Sequence, residues 1–326
     1  MRRRDFIRIL SGPAVLWPFA AHARPMRPVI GFLGPSSASG FAPFVRAFQE
    51  GLKEGGFVEG ESVEVEYRWA NDQFDRLSTL AAELVGRPVH VLVTAGSTAA
   101  ALAAKGATST IPVVFSVGAD PVKFGLVASM NRPGGNITGV SFLSNSLVQK
   151  QIELLQQLIP AVTVIGLLVN PANPNAGSDI AEARAAAAAL QRQLQITEVH
   201  GEGELDATFE ILHGAGAGAL LVLADPLFIR TRKRLTDLAA HWKMPVMYTN
   251  RLYTEDGGLV SYGANVADAY RQVGIYVGRL LKGDRPADLP VFQSTKLELV
   301  MNLKAAKEIG LEVPTAILSG ADEIIE

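Results

Sequence analysis

Thr163-Val164-Ile165-Gly166-Leu167-Leu168-Val169-Asn170 is a continuous apolar run that ends on a polar residue, and the similar run Val29–Leu33 stands near the start of the chain. Unbroken apolar runs of this length are typical of strands that are buried on both faces of a parallel sheet. Further runs follow each of them at similar intervals. They are Val63–Tyr67, Val89–Thr94 and Pro112–Ser116 in the first half, and Gln195–His200, Ala219–Leu223 and Pro245–Tyr248 in the second.

Helical segments fill the intervals between these runs, so strands and helices alternate along both halves of the chain. The predicted helices are Pro43–Glu54, Asp75–Val85, Thr98–Lys105, Asp179–Leu194, Leu205–His213 and Ile229–Trp242. Alternation of this kind predicts βαβ units with right-handed crossovers. The predicted fold class is therefore α/β, with two doubly wound parallel-sheet, Rossmann-like lobes.

Turn-rich segments mark the boundaries between the predicted lobes. Asn131–Asn136 contains Pro133-Gly134-Gly135, and a second break occurs at Gly257-Gly258. The elements after these breaks are the strands Ile137–Phe142 and Leu259–Tyr262, the helix Val266–Lys282 and the extended segment Phe292–Val300. We expect an N-terminal lobe of residues 28–138 plus 264–290 and a C-terminal lobe of residues 139–263 plus 291–326, joined by a multi-strand hinge.

Composition narrows the classes of function. The 326 residues are 48% hydrophobic and 19% charged, which is ordinary for a globular protein of about two domains. A net charge of -2 provides no electropositive field for nucleic acid, so no nucleic-acid partner is expected. The absence of cysteine excludes thiolate nucleophiles, disulfides and cysteine-ligated metals. Stability must therefore come from packing.

The first 23 residues are typical of an export signal. Arg3-Arg4 followed by Phe6-Ile7 resembles a twin-arginine motif, a short apolar run follows, and Ala21-His22-Ala23 supplies a small-residue cleavage pattern before Arg24. We expect a signal peptide over residues 1–23, read by the twin-arginine or the general export machinery, and a mature protein in the periplasm. An uncleaved membrane anchor is the alternative.

Ligands of open α/β sheets bind beyond the carboxyl ends of the strands, so the residues just after each run are the candidate site. We single out side chains that are small or can form directed hydrogen bonds. They are Ser36, Ser37, Ala95, Gly96, Ser97, Thr98, Asp120, Asn170, Asp225, Tyr248 and Asn250.

The turn Thr94-Ala95-Gly96-Ser97-Thr98 is the sharpest of these signals, because a helix that begins there would direct free amides towards an anion. Ser97 could equally be a helix cap and nothing more. Asp120 and Asp225 each precede a proline and could either cap helices or hold a ligand ammonium group. Phe142 and Tyr248 could either form a pocket wall or belong to the core.

Motifs for catalysis and cofactors are scarce in the sequence. It has no G-x-S-x-G elbow, S-x-x-K motif or phosphate-binding P-loop, and no histidine pair at metal-ligand spacing. The glycines of Gly214–Gly218 precede a predicted strand, whereas those of a dinucleotide fingerprint follow one. We expect no metal site, no cofactor and no enzymatic activity.

Several segments of the chain form a recognisable series. They are Ile111–Phe115, Asp120-Pro121-Val122, Gly125–Ser129, Arg132–Ser141, Gly257–Gly263, Tyr270-Arg271-Gln272, Lys282-Gly283, Pro286–Val291 and Asn302–Lys307. This series resembles the family of ABC-transporter substrate-binding proteins whose best-understood relatives bind tryptophan or tyrosine. The resemblance covers the chain after the leader and keeps the family's order. It implies a type I periplasmic binding protein architecture with three hinge crossings. It also implies binding positions at Ala95–Thr98, Asp120-Pro121, Ser141-Phe142 and Asn170.

The leading hypothesis is therefore a periplasmic protein, expected to be monomeric, that captures a small solute and presents it to an ABC transporter permease. We expect an amino-acid-like ligand with its anionic end on the Gly96–Thr98 amides and its cationic end on Asp120 or Asp225. Its apolar body would lie against Phe142 or Tyr248. The alternatives are an exported small-molecule enzyme on a doubly wound scaffold and a ligand-sensing protein for a membrane receptor.

Overall fold

The computed structural model describes residues 27–142 and 144–326, and the signal peptide expected over residues 1–23 lies outside them. Strands and helices alternate along the first part of the chain as expected. Its elements are β1 (Val29–Gly34), α1 (Ala38–Glu54), β2 (Glu64–Trp69), α2 (Leu77–Val85), β3 (Val91–Thr94), α3 (Thr98–Ala107), β4 (Val113–Val117) and β5 (Ile137–Ser141).

The same alternation continues through the second part. Its elements are α4 (Val148–Leu158), β6 (Val164–Val169), α5 (Ala176–Ala189), β7 (Gln193–Glu198), α6 (Leu205–Gly214), β8 (Ala219–Val222), α7 (Pro226–Arg230), α8 (Arg232–His241), β9 (Val246–Tyr248), α9 (Arg251–Glu255) and β10 (Val260–Ala264). The last elements are α10 (Val266–Leu281), β11 (Phe292–Gln293), β12 (Leu297–Asn302), α11 (Leu303–Ile309), α12 (Thr315–Gly320) and β13 (Glu323–Ile325).

The strands form two sheets. The first has the order β11-β5-β4-β3-β1-β2 and is parallel throughout, while the second has the order β13-β12-β10-β9-β8-β6-β7. In the second sheet only the β10–β12 pair is antiparallel among the described pairings. In both sheets the order doubles back beside the first strand, which is the doubly wound arrangement predicted from the sequence.

Each sheet is covered on both faces because its central strands, such as β1 and β6, are apolar on both faces. In β1, Ile30 and Phe32 pack under α1 and α10, whereas the next residue, Leu33, faces the core beneath α2 and α3. In the second sheet, Leu167 and Leu168 likewise belong to two separate cores. This alternation follows from the period of two in a strand, and burial of each such side chain contributes about 1.5–3 kcal/mol.

Three element boundaries differ from the expectations. The helix predicted over 179–194 ends at Ala189, and Gln191 then adopts a positive φ of 55° before β7. The helix predicted over 229–242 is divided at Thr231 into α7 and α8. The first helix begins at Ala38 rather than at Pro43, because Ser37 accepts a hydrogen bond from the Gly40 amide and caps it there.

The extended segment predicted over 292–300 also divides, and its two strands belong to different sheets. β11 pairs with β5 at the edge of the first sheet, and β12 pairs with β10 in the second. Residues 139–141 and 292–293 therefore lie in the first sheet, although we expected them in the C-terminal lobe. Our boundaries at 138 and 290 fall a few residues too early, because each cuts through or precedes a strand of that sheet.

Candidate ligand-binding site

A pocket lies between the two sheets, at the carboxyl ends of their strands. It holds about 730 Å³ of empty space, including a part that is open to solvent. The first sheet and its helices contribute Phe41, Phe44, Gly96, Ser97, Thr98, Gly118, Phe142 and Tyr270 to its lining, while the second contributes Gln151, Asn173, Asn175, Asp225, Ile229, Asn250 and Gly263. Residues from both lobes thus face one shared space, as the topology rule for open sheets predicts.

The turn between β3 and α3 forms one wall. Ser97 both lines the pocket and caps α3, because its Oγ accepts a hydrogen bond of 3.3 Å from the Ala100 amide. The Gly96 amide donates to Ser116 Oγ at 2.8 Å and is therefore already paired, although Gly96 itself lines the pocket. The amides of Thr98 and Ala99 remain as the donors at this helix end. Thr98 Oγ1 is buried at the pocket and has no hydrogen-bond partner among the described residues.

An aromatic surface continues this wall. The rings of Phe44 and Tyr270 stack with centroids 5.1 Å apart, and Phe41 meets Phe44 edge-on at 5.6 Å. Gly96 passes beneath them with a φ of +59°, and a Cβ there would lie 2.7 Å from the Tyr270 hydroxyl oxygen. A side chain at position 96 would therefore collide with the ring that shapes the pocket. The wall suits a flat apolar group.

Asp225 is the charged group of the opposite wall. It is 4% exposed and accepts hydrogen bonds from Asn170 Nδ2 at 3.1 Å, Asn173 Nδ2 at 2.7 Å and the Leu227 amide at 2.8 Å. All of these donors are neutral. Burial raises the pKa of Asp225 to about 6 in spite of these hydrogen bonds, and the charge of Asp72 contributes in the same direction. Asp225 is thus a buried acid at a pocket, with no cation paired to it in the described part of the chain.

Two other polar groups of this wall have unused acceptors. Gln151 Oε1 and Asn175 Oδ1 are buried and lack a hydrogen-bond partner within residues 27–142 and 144–326. Asn250 is also buried here, and its side chain accepts a hydrogen bond of 2.9 Å from the Leu252 amide, which begins α9. The second lobe therefore offers mainly hydrogen-bond acceptors to a ligand.

Two of the expected binding residues lie elsewhere. Asp120 is exposed, lies outside the pocket lining, and accepts hydrogen bonds from the amides of Val122 at 2.8 Å and Lys123 at 3.2 Å. It closes its own turn, and the structure does not bring it to the pocket, so its ligand contact stays a prediction. Tyr248 is fully buried and stacks on Tyr253 at 4.5 Å in a core of the second lobe. It does not form a wall of the pocket.

Five more expected residues are near the pocket without lining it. Ser36 and Ala95 are fully buried, and Ser37 caps α1. Ser141 donates to the Ala119 carbonyl oxygen at 3.0 Å, and Asn170 holds Asp225 in place. These residues lie beside the pocket lining, and contact of any of them with a ligand stays a prediction.

Sequence reasoning missed several residues that do line the pocket. The notable ones are Ser144, Gln151, Asn175 and Tyr270. Asn175 lies in the loop after β6 and could have been found by extending the strand-end rule a few residues. The helical residues carry no local signal, because an apolar helix face looks the same whether it covers a core or a cleft.

The two lobes also touch beside the pocket. Arg230, on α7 of the second lobe, forms an ion pair with Asp72, which follows β2 of the first lobe, and a second one with Glu202 at 2.7 Å. Partial burial lowers the pKa of Arg230, but the hydrogen bonds that it donates to Glu202 and Asp72 outweigh this effect and raise the pKa. Gly40 of α1 packs against the same arginine, and a Cβ at Gly40 would lie 3.2 Å from the Cβ and Cγ atoms of Arg230. The two lobes are thus in direct contact beside the pocket, through Arg230, Asp72 and Gly40.

The described residues contain no group of three or more histidine, aspartate or glutamate side chains that could hold a metal ion. None of the helices within 27–142 and 144–326 is long and apolar enough to cross a membrane.

Known proteins resemble the chain over most of its length. A tyrosine-binding protein of Clostridioides difficile is 25% identical over 272 residues, which cover 82% of this chain and 76% of that protein. A conserved domain protein of Vibrio cholerae is 28% identical with a TM-score of 0.83, and the match covers 91% of this chain and 99% of that one. An ABC domain from Streptococcus pneumonia in complex with L-Trp is 26% identical with a TM-score of 0.81, covering 92% and 100%.

These neighbours and the two mainly parallel sheets identify the fold as that of the type I periplasmic binding proteins. Residues 33–325 match the family described as ABC transporter substrate binding protein. The match covers nearly all of the described residues, and the resemblance seen in the sequence is confirmed. The chain belongs to the ABC transporter substrate-binding protein family.

Proposed function

We propose that this protein is the substrate-binding component of an ABC importer and captures an amino acid with an aromatic side chain in the periplasm. After closure it presents the unchanged solute to a membrane permease. In this proposal the chain acts as a monomer, and the leader of residues 1–23 directs its export.

The observation that carries the proposal is Asp225, a buried carboxylate that faces the pocket and has only neutral partners. A buried charge without a counter-charge is unfavourable unless a ligand supplies one. An ammonium group satisfies it, because it brings the charge together with N–H donors. The beginning of α3, on the other side of the same pocket, provides the amides of Thr98 and Ala99 for a carboxylate.

The aromatic surface supports the remaining part of the ligand. Phe41, Phe44 and Tyr270 offer ring faces and edges to the pocket, which favour a flat apolar group over an aliphatic or charged one. A relative that is named for tyrosine binding and a neighbour solved with L-Trp agree with this choice. Ammonium, carboxylate and aromatic ring together describe an aromatic α-amino acid.

The test is a thermal-shift screen of the L-amino acids with the protein purified without added ligand, followed by calorimetry. We expect L-tyrosine or L-tryptophan to raise the melting temperature most. The N-acetyl derivative should bind at least tenfold more weakly, because it lacks the ammonium group that Asp225 requires. The methyl ester, which lacks the carboxylate, is the matched probe for the α3 end.

Two results would contradict the proposal. One is that no amino acid stabilises the protein at millimolar concentration. The other is that the N-acetyl derivative binds as tightly as the free amino acid, because Asp225 would then be a helix cap without a role in the ligand site.

A further inference from the structure

Gln151 is a pocket residue whose side-chain amide has its orientation fixed by the strand next to it. It lies on α4, is 1% exposed, and its Nε2 donates a hydrogen bond of 2.7 Å to the Tyr262 carbonyl oxygen. Tyr262 is in β10, whose pairing with β9 ends at the pair of Ser261 and Tyr248, so Tyr262 lies one residue beyond the paired stretch. Only the NH₂ group can donate to a carbonyl. The other amide atom of Gln151, Oε1, is therefore an oxygen and not a nitrogen.

This oxygen is buried at the pocket without a partner. Gln151 lines the cleft, and its Oε1 has no hydrogen bond to any part of the chain that the structure describes. Buried acceptors in folded proteins are nearly always paired, and an unpaired one is destabilising. A group that donates a hydrogen bond to Gln151 Oε1 must carry an N–H or O–H and must enter from the pocket.

The sheet order gives the position of this acceptor relative to Asp225. Asp225 lies just after β8, whereas the amide of Gln151 is bonded to β10, and β9 lies between these two strands. Two strand spacings, about 10 Å, therefore separate the strand end that carries Asp225 from the strand to which the Gln151 amide is bonded. A ligand whose ammonium group lies on Asp225 therefore meets Gln151 with the far end of its side chain, not with its own backbone atoms.

We propose that Gln151 determines specificity by accepting a hydrogen bond from the phenol O–H or indole N–H of an aromatic amino acid. This inference rests on the proposed function. Phe41 and Phe44 suit any aromatic ring, so they do not separate tyrosine or tryptophan from phenylalanine. Phenylalanine would leave the Gln151 oxygen buried and unpaired, and a site built to pair a donor rejects the analogue that lacks it.

Calorimetry with the full chain tests this role, first without any variant. The wild-type protein should bind L-tyrosine or L-tryptophan at least tenfold more tightly than L-phenylalanine. Blocking the donor by methylation, in O-methyl-L-tyrosine or 1-methyl-L-tryptophan, should cause a similar loss although the ring and both charged groups remain.

The variant Gln151→Met keeps the length of the side chain and removes the amide. Its ratio of tyrosine or tryptophan affinity to phenylalanine affinity should fall to near one, mainly through weaker binding of the donor-bearing ligands. Gln149→Met makes the same chemical change at an exposed position of α4 and should leave the ratio unchanged.

Three outcomes have distinct meanings. An equal loss for all three amino acids in Gln151→Met would mean a structural role and would overturn the inference alone. Equal affinity of the wild-type protein for phenylalanine, tyrosine and tryptophan would also overturn the inference, and this result does not depend on whether the variant folds. Absence of binding by any aromatic amino acid would overturn the proposed function, and this inference with it.

Discussion

Ligand affinity should depend on pH through Asp225. The perturbation is a change from pH 7 to pH 5, across the pKa of about 6 to which burial raises this carboxyl group. The ammonium group of a bound amino acid pairs with the ionised form. Protonated Asp225 must therefore lose its proton before the pair can form, and binding competes with protonation.

The size of the fall in ligand affinity follows from the fraction of Asp225 that is ionised before binding. With a pKa of about 6, about nine-tenths of the molecules are ionised at pH 7 and about one-tenth at pH 5. Affinity should therefore fall about tenfold over this range, which corresponds to about 1.4 kcal/mol. The amino and carboxyl groups of the ligand stay mainly charged between these values, so they contribute little to the change.

Calorimetry of L-tyrosine or L-tryptophan at several pH values measures this dependence. Near pH 6, titrations in buffers of different ionisation enthalpy should also detect release of about half a proton per ligand bound. Asp225→Asn is the control, because asparagine still caps a helix but does not titrate. Its affinity should be low and flat with pH. An affinity of the wild-type protein that is unchanged from pH 7 to pH 5 would refute the pairing of the ligand with Asp225.

Three further predictions concern the protein itself. Because the folded-state pKa of Asp225 is raised, its contribution to stability is full below about pH 4 and is lost as the pH rises through 6. Over this range the free energy of unfolding of the wild-type protein, measured by denaturant melts, should decrease by about 3 kcal/mol relative to that of Asp225→Asn. Arg230→Gln removes the Asp72 ion pair between the lobes, worth about 1 kcal/mol, so X-ray scattering without ligand should give a larger radius of gyration; an unchanged radius would contradict that role. Gly96→Ala, at a φ of +59°, should cost about 1–2 kcal/mol and weaken binding, whereas Gly106→Ala, with open space around it, should not destabilise the fold.

The fold could be predicted from the sequence because its strands are apolar on both faces. Runs such as Val164–Val169 do not alternate apolar with polar residues, so neither face of the sheet suits exposure to water and both faces require a cover of helices. The doubly wound topology then brings the strand ends together. Gly96–Thr98, Asp225 and Asn250 were found by this rule, which depends on topology and needs no knowledge of the ligand.

The rest of the site depends on contacts that no local pattern encodes. Asp120 and Asp225 both precede proline and both accept hydrogen bonds from the next turn, yet one is exposed and the other is buried at the pocket. The difference comes from the neighbours, since Asn170 and Asn173 approach Asp225 from another loop. The turn motif predicts the capping hydrogen bonds of both aspartates, but it does not predict which groups from other loops surround each carboxylate.

The same unpaired groups that mark the site also explain how a ligand could control closure. With the two lobes in contact as in this structure, Asp225 is buried without a cation among the described residues, and Thr98 and Gln151 have buried oxygens without partners there. Each of these groups destabilises the closed state relative to an open one in which water reaches the cleft. The ion pair of Arg230 with Asp72 opposes this effect, but it is partly exposed and therefore weak. A ligand that pairs the three groups removes the penalty only in the closed state, and this difference in affinity between the two states is what shifts the equilibrium towards closure.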